Sequence, residues 1–176
     1  MSQNLIRGTA AAAFVLAAGL TAPVAADAAA PAIRTSTANA IPPCVTPGRL
    51  NAFLADHNRR RGHALAPRFR DIANWYKRHG ERHRVRWDYA FFQMLLETNF
   101  LSYRRANGKW GDVNPKQNNF AGLGTTGGGV PGDSYPDIST GVLAQIQHLV
   151  TYSGERLESP VGHRTRLKQD VILKSV

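Results

Sequence analysis

Between Trp87 and Phe100 the chain carries Trp87, Tyr89, Phe91, Phe92, Met94, Leu95, Leu96 and Phe100. On a helix this spacing puts apolar groups on nearly every side, and such a helix is stable only where other helices enclose it. Asp88 is suited to cap its start. The segment therefore commits the chain to a mainly helical domain with this helix at its buried centre. Glu97 is the group that does not fit, since it lies in the last turn between Leu95-Leu96 and Phe100. An ionised carboxylate buried alone costs several kcal/mol, so Glu97 must be neutral, paired or set beside a cleft. Arg104 and Arg105 are the partners that would neutralise it. Alternatively, desolvation and the negative end of the helix dipole push its pKa up. A carboxylic acid that keeps its proton can donate it to a leaving oxygen.

The remaining organisation follows from caps and periodicity. Thr46-Pro47 reads as a cap followed by proline at the first helical position. Leu50, Phe53 and Leu54 continue that helix as a short apolar stripe. Phe69, Ile72, Ala73 and Tyr76 have helical spacing after Pro67 and predict a second helix ending at Gly80. From Ser102 to Pro136 Gly, Asn, Pro and Asp dominate, which predicts a loop with a short hairpin or small β lobe. Helical spacing returns at Val142, Leu143, Ile146, Leu149 and Val150, after Ser139 or Thr140 as cap and before Gly154 as stop. Residues 156–176 form a basic tail with an apolar end, Val171-Ile172-Leu173.

The first thirty residues read differently. A short polar start with Arg7, an apolar run from Ala10 to Leu20 and small residues around Ala26-Asp27-Ala28 match an export signal. The apolar run is too short for a stable membrane span. Cleavage removes Arg7 and Asp27 together and leaves the net charge of the 176-residue chain at +10. Residues 31–45 mix Ala, Pro, Ser and Thr without periodicity and read as a disordered linker, with the domain over 46–176. The lone Cys44 cannot form an internal disulfide. Arg59, Arg60, Arg61, Arg68, Arg70, Lys77, Arg78, Arg82, Arg84 and Arg86 crowd one stretch, as solvated helix faces or as a surface for anionic envelope polymers. Export to the periplasm, cell wall or medium argues against nucleic acid as a partner.

No cofactor or metal is implied. His79 and His83 stand four apart, but Gly80 interrupts them and no third ligand accompanies them. Gln117-Asn118-Asn119-Phe120-Ala121-Gly122 is chemically richer. Amides bond hydroxyl and acetamido groups, an aromatic ring covers an apolar sugar face, and glycine permits close approach.

The blocks Phe92-Gln93-Met94-Leu95-Leu96-Glu97-Thr98-Asn99-Phe100, Asn118-Asn119-Phe120-Ala121-Gly122-Leu123-Gly124, Ser134-Tyr135-Pro136-Asp137 and Gly141-Val142 with Gln145-Ile146-Gln147-His148-Leu149 occur in that order. Together, over residues 67–152, they resemble bacterial glucosaminidase domains, the mannosyl-glycoprotein endo-β-N-acetylglucosaminidase-like domains of cell-wall hydrolases. The resemblance implies a lysozyme-like α+β fold, mainly α, acting on peptidoglycan glycan strands; a monomer is expected. The bond cut would be the β-1,4 linkage after N-acetylglucosamine. It places the catalytic acid on Glu97 and the substrate-binding groups on Gln93, Asn118, Asn119, Phe120 and Gly122. The second catalytic group stays open. Asp112, Asp133 and Asp137 are the carboxylates available, with Asp137 explained by an N-cap role. The substrate's acetamido oxygen, oriented by Tyr135 or an asparagine, is a third route. A lytic transglycosylase, with one acid, and a non-catalytic envelope-binding module are the rival readings. Members of the resembled family carry a further aromatic helical segment after the Gln-x-Gln-His-Leu helix, whereas no aromatic follows Tyr152 here. A shortened C-terminal part is therefore expected.

Overall fold

Five helices organise residues 32–176, the part of the chain described by the computed structural model: α1 (Pro47–Arg60), α2 (Ile72–Arg82), α3 (Trp87–Glu97), α4 (Ile138–Tyr152) and α5 (His163–Leu173). The export signal expected over 1–30 lies outside the described residues. The described residues form no strand; their only bridges are Arg34 with Val85 and Arg104 with Trp110. The fold is thus mainly helical, and the expected β lobe is a long loop from Thr98 to Pro136 with one 3-10 turn at Pro115–Gln117.

Helix α1 starts as its sequence implies. The Thr46 hydroxyl accepts the Arg49 N–H at 3.3 Å, and Pro47 fills the first helical position, where no donor is needed. The next helix departs from expectation. Gly80 does not stop α2; the helix runs two residues further. A Cβ on Gly80 would lie 2.3 Å from Cβ of Trp87, so the missing side chain is what lets α2 and α3 touch at backbone distance. Tyr76 deepens that junction. Its hydroxyl donates to Gln145 Oε1 at 2.5 Å, and Gln145 Nε2 donates to Ala90 O at 3.1 Å and Gln93 Oε1 at 3.0 Å. One buried amide therefore ties α2, α3 and α4 together in an otherwise apolar centre of Phe69, Phe91, Met94, Phe120, Val142 and Ile146.

Helix α3 is not wholly enclosed. Trp87, Ala90, Phe91, Met94 and Leu95 face inward, but Phe92 is 42% and Leu96 80% exposed. Nor does Asp88 cap it. Both Asp88 oxygens accept from Arg86, at 2.8 and 2.6 Å, and both side chains are buried.

The same arginine overturns the disordered-linker expectation for 32–45. Arg86 donates through its backbone to Ile33 O at 2.7 Å and through its guanidinium to Asn39 at 2.6 Å, while Thr35 N donates to Arg84 O. Ile33, Ile41 and Val45 pack against the core. A few apolar residues and an edge of paired backbone order a stretch whose composition reads as loose.

Two further elements complete the frame. Asp137 caps α4, accepting the Thr140 N–H at 2.7 Å, and Gly154 follows its end with φ +89°. The basic tail contains α5, which packs on α4 through Thr165, Gln169 and Ile172. Its hidden positions are mostly polar, so no apolar period announced it. Replacing Gly80 with Ala should cost on the order of 3 kcal/mol, because the added methyl meets backbone-rigid Trp87. Urea unfolding measures this, and a loss under about 0.5 kcal/mol would mean that the two helices part easily.

Candidate active-site groove

Glu97 is the last residue of α3, and the chain turns sharply after it. Asn99, Phe100 and Leu101 have φ of +46°, +55° and +63°, three left-handed residues in succession. Each costs roughly 1–2 kcal/mol without a glycine. Local bonds hold the turn: Phe100 N donates to Leu95 O and Tyr103 N to Thr98 O, both at 2.7 Å, and Asn58 Nδ2 donates to Phe100 O at 3.0 Å. Thr98 is buried and accepts Leu101 N at 2.9 Å while donating to Met94 O. The turn carries the chain away from the helix end and leaves Glu97 exposed on it.

Exposure corrects the expectation of an acid in apolar surroundings. Among the described residues Glu97 has no ion pair. The arginines expected to neutralise it act elsewhere. Arg104 donates to Gly108 O at 2.8 Å and lies 3.8 Å over the Trp110 ring, and Arg105 pairs with Asp112 at 2.7 Å. Across from Glu97 stands Gly122, with φ +59°; a Cβ there would come within 4.0 Å of Glu97 Oε2.

Two adjoining chambers meet at this point. One, of about 290 Å³, is lined by Leu96, Glu97, Tyr103, Arg104, Arg105, Asp112, Gly122 and Thr125. The other, of about 380 Å³, is lined by Gln93, Ala121, Gly122, Thr125, His148, Tyr152 and Arg164. Gly122 and Thr125 belong to both. Gln93 and Glu97, one helical turn apart, lie on one face of α3 and serve the two chambers in turn.

The structure thus gathers Glu97, Asp112, Gln93 and Gly122 of the residues picked from sequence. It takes Asn118, Asn119, Phe120 and Tyr135 out of the groove. Asn118 is buried with φ +48°, donates to Tyr135 O at 2.9 Å and accepts from Arg68 at 3.0 Å. Asn119 is wholly buried. Its Nδ2 donates to Leu123 O at 2.8 Å and Asp133 O at 2.9 Å, and its Oδ1 accepts Leu123 N at 3.0 Å and Ala121 N at 3.4 Å. Phe120 meets Phe69 edge-on in the core. The amides and the ring shape the loop and do not line the groove.

Tyr135 lines a different depression, beside Ser134, Val161 and Arg166. Its hydroxyl donates to Asp133 at 3.2 Å, and burial, reinforced by that carboxylate, pushes its pKa well above the ordinary tyrosine value. Asp133 also accepts the Arg164 backbone N–H at 3.0 Å, so it anchors the start of α5.

Sequence reasoning passed over His148, Tyr152 and Arg164. His148 stood in a quoted block without a role, and Arg164 lay in the supposed tail. The His148 Nδ1 is 2.9 Å from Thr165 Oγ1, and its ring meets Tyr152 edge-on. Burial, and then the Arg164 charge, lower its pKa to about 4.

The crowded basic stretch is exposed except at Arg86, and some of its charge is spent within the fold. Arg86 is buried on Asp88, Arg59 and Arg60 pair with Asp56, and Arg68 holds Asn118. His79 is buried 2.9 Å from Ser139 Oγ and stacked on Trp75. Among the described residues no three His, Cys, Asp or Glu side chains are grouped to hold a metal, and no helix is long and apolar enough to cross a membrane.

Comparison with known proteins adds little. No family model matches the chain, and no solved structure matches it. An uncharacterized protein of Borreliella burgdorferi (strain ATCC 35210) is 38% identical over 72 residues, which is 41% of this chain and 32% of that protein. The chain thus matches about a third of that relative's length.

Two outcomes follow from this geometry. Asn119→Ala strands four backbone groups, buried or partly buried, and should destabilise the fold on the order of 3 kcal/mol by urea unfolding. His148 has a folded pKa below its unfolded one, so its contribution to stability is complete above about pH 6.5 and falls away as pH drops towards about 4. Melting curves of wild type and His148→Gln should therefore converge or cross as pH falls through that window. A constant difference would mean that the ring is not held neutral.

Proposed function

We propose that the domain is an exported, lysozyme-like glycosidase that cuts peptidoglycan after N-acetylglucosamine, with Glu97 as general acid. The observation that carries this reading is the Glu97 carboxylate, without an ion pair among the described residues, at a helix end where two sugar-sized chambers adjoin. A polymer can lie across such a site with residues on both sides of the bond to be broken. The four ordered sequence blocks supply the substrate class.

The proposed chemistry begins with exclusion of water. A glycan seated along the two chambers covers the Glu97 carboxyl and excludes water from it, which favours the neutral, proton-donating form. Glu97 then protonates the glycosidic oxygen as the bond to the anomeric carbon breaks, and positive charge develops on the ring. Asp112 lines the same chamber but is held by Arg105, which makes it a poor free nucleophile or base. This favours capture of the anomeric carbon by the substrate's own 2-acetamido oxygen, followed by water. Tyr135, hydrogen-bonded to Asp133 in another depression, has no part in it.

The same observation supports the second reading, a lytic transglycosylase, where one acid suffices and a sugar hydroxyl replaces water. Products separate the two: a reducing N-acetylglucosamine end marks hydrolysis and a 1,6-anhydromuramoyl end marks transglycosylation. Glu97→Gln should lower release of fragments from purified sacculi by at least about a hundredfold. Its melting temperature should barely move, because Glu97 is exposed. Equal release by both proteins removes Glu97 from catalysis, and sacculus binding without release by wild type makes the domain a binding module.

A further inference from the structure

The two chambers differ in charge. The chamber at the Asp112 end holds two carboxylates, Glu97 and Asp112, with Arg104 and Arg105. The one beyond Gln93 has no carboxylate and a single cation, Arg164, because His148 is neutral at physiological pH. Among the described residues the Arg164 guanidinium has neither an ion pair nor a hydrogen-bond acceptor, although the residue is half-buried. Its backbone N–H, by contrast, donates to Asp133. A planar fork of five donors left open on the wall of a groove is suited to a carboxylate, which it can bind through two parallel bonds.

The surroundings hold that fork in place. Asp133 fixes the first turn of α5 through the Arg164 N–H, and the next residue, Thr165, is wholly buried against His148. Tyr152, 54% exposed, offers a ring at the same end, and Gln93 and His148 offer hydrogen-bonding groups.

We infer that this chamber receives a sugar carrying a carboxylate, with Arg164 as the specificity-determining residue. Taken with the proposed glycosidase reading, on which this rests, the sugar is N-acetylmuramic acid whose lactyl carboxylate is free. The domain therefore prefers glycan strands already stripped of their stem peptides, and an amide-cleaving reaction must precede it.

Calorimetry with the Glu97→Gln protein, which separates binding from turnover, tests the assignment. The probes are a tetrasaccharide of alternating N-acetylglucosamine and N-acetylmuramic acid with free lactyl carboxylates, and its methyl ester. The free acid should bind about tenfold more tightly. Adding Arg164→Gln should bring the acid down to the affinity of the ester and leave the ester unchanged, which also reports that the groove is intact. Arg164→Lys should keep part of the preference. Equal binding of acid and ester by the Glu97→Gln protein overturns the inference and leaves the glycosidase reading standing. No binding of either overturns both. A preference that survives Arg164→Gln, or loss of ester binding in both Arg164 variants, shows that Arg164 is not the carboxylate receptor.

Discussion

The wall that faces α3 has no helix or strand of its own, and the amide of Asn119 takes the place of one. Four hydrogen bonds to Ala121, Leu123 and Asp133 fold residues 119–123 into a fixed loop and bring the chain at Asp133 alongside it. Tyr103 adds a hydroxyl bond to the Asn119 carbonyl at 3.4 Å. This node, with the Asp133 N–H donating to Leu123 O at 2.7 Å, holds Gly122 and Thr125 opposite Glu97. The cost of burying so polar a side chain is offset because every bonding position of the amide is matched by a backbone group.

The other wall depends on close packing. Gly80 lets α2 and α3 meet at backbone distance, and Gln145 fastens both to α4, so the direction of α3 is fixed along its length. Its last residue is then delivered to the groove by a turn that no helix-forming tendency would choose. Strained backbone of this kind persists only where neighbours over-determine it, and it gathers at working sites. Here Thr98, Asn58 and the Leu95 carbonyl supply the restraint.

Periodicity and caps in the sequence located α1, α2, α3 and α4, because their apolar positions recur at the helical interval and Thr46 and Asp137 cap as their types suggest. It failed on α5, whose hidden face includes Thr165 and Gln169, and on residues 32–45, where three scattered apolar groups and Arg86 do the ordering. Glu97 was conspicuous, but for the wrong reason: a sequence lists neighbours along the helix and not which side of it lies bare. Asn118, Asn119 and Phe120 were legible as special and illegible in role, since an amide that holds a loop and one that holds a sugar look alike without coordinates. Arg164 lay far from the quoted blocks and reaches the groove only through the packing of α5 on α4.

Gly122 meets the groove with main chain, and the Thr125 hydroxyl beside it donates to the Gly122 carbonyl at 2.7 Å. Discrimination on that side comes from peptide groups and from one small hydroxyl side chain that both chambers share. A relative with a different preference would have to exchange that threonine, reroute the loop or alter the helix across the gap.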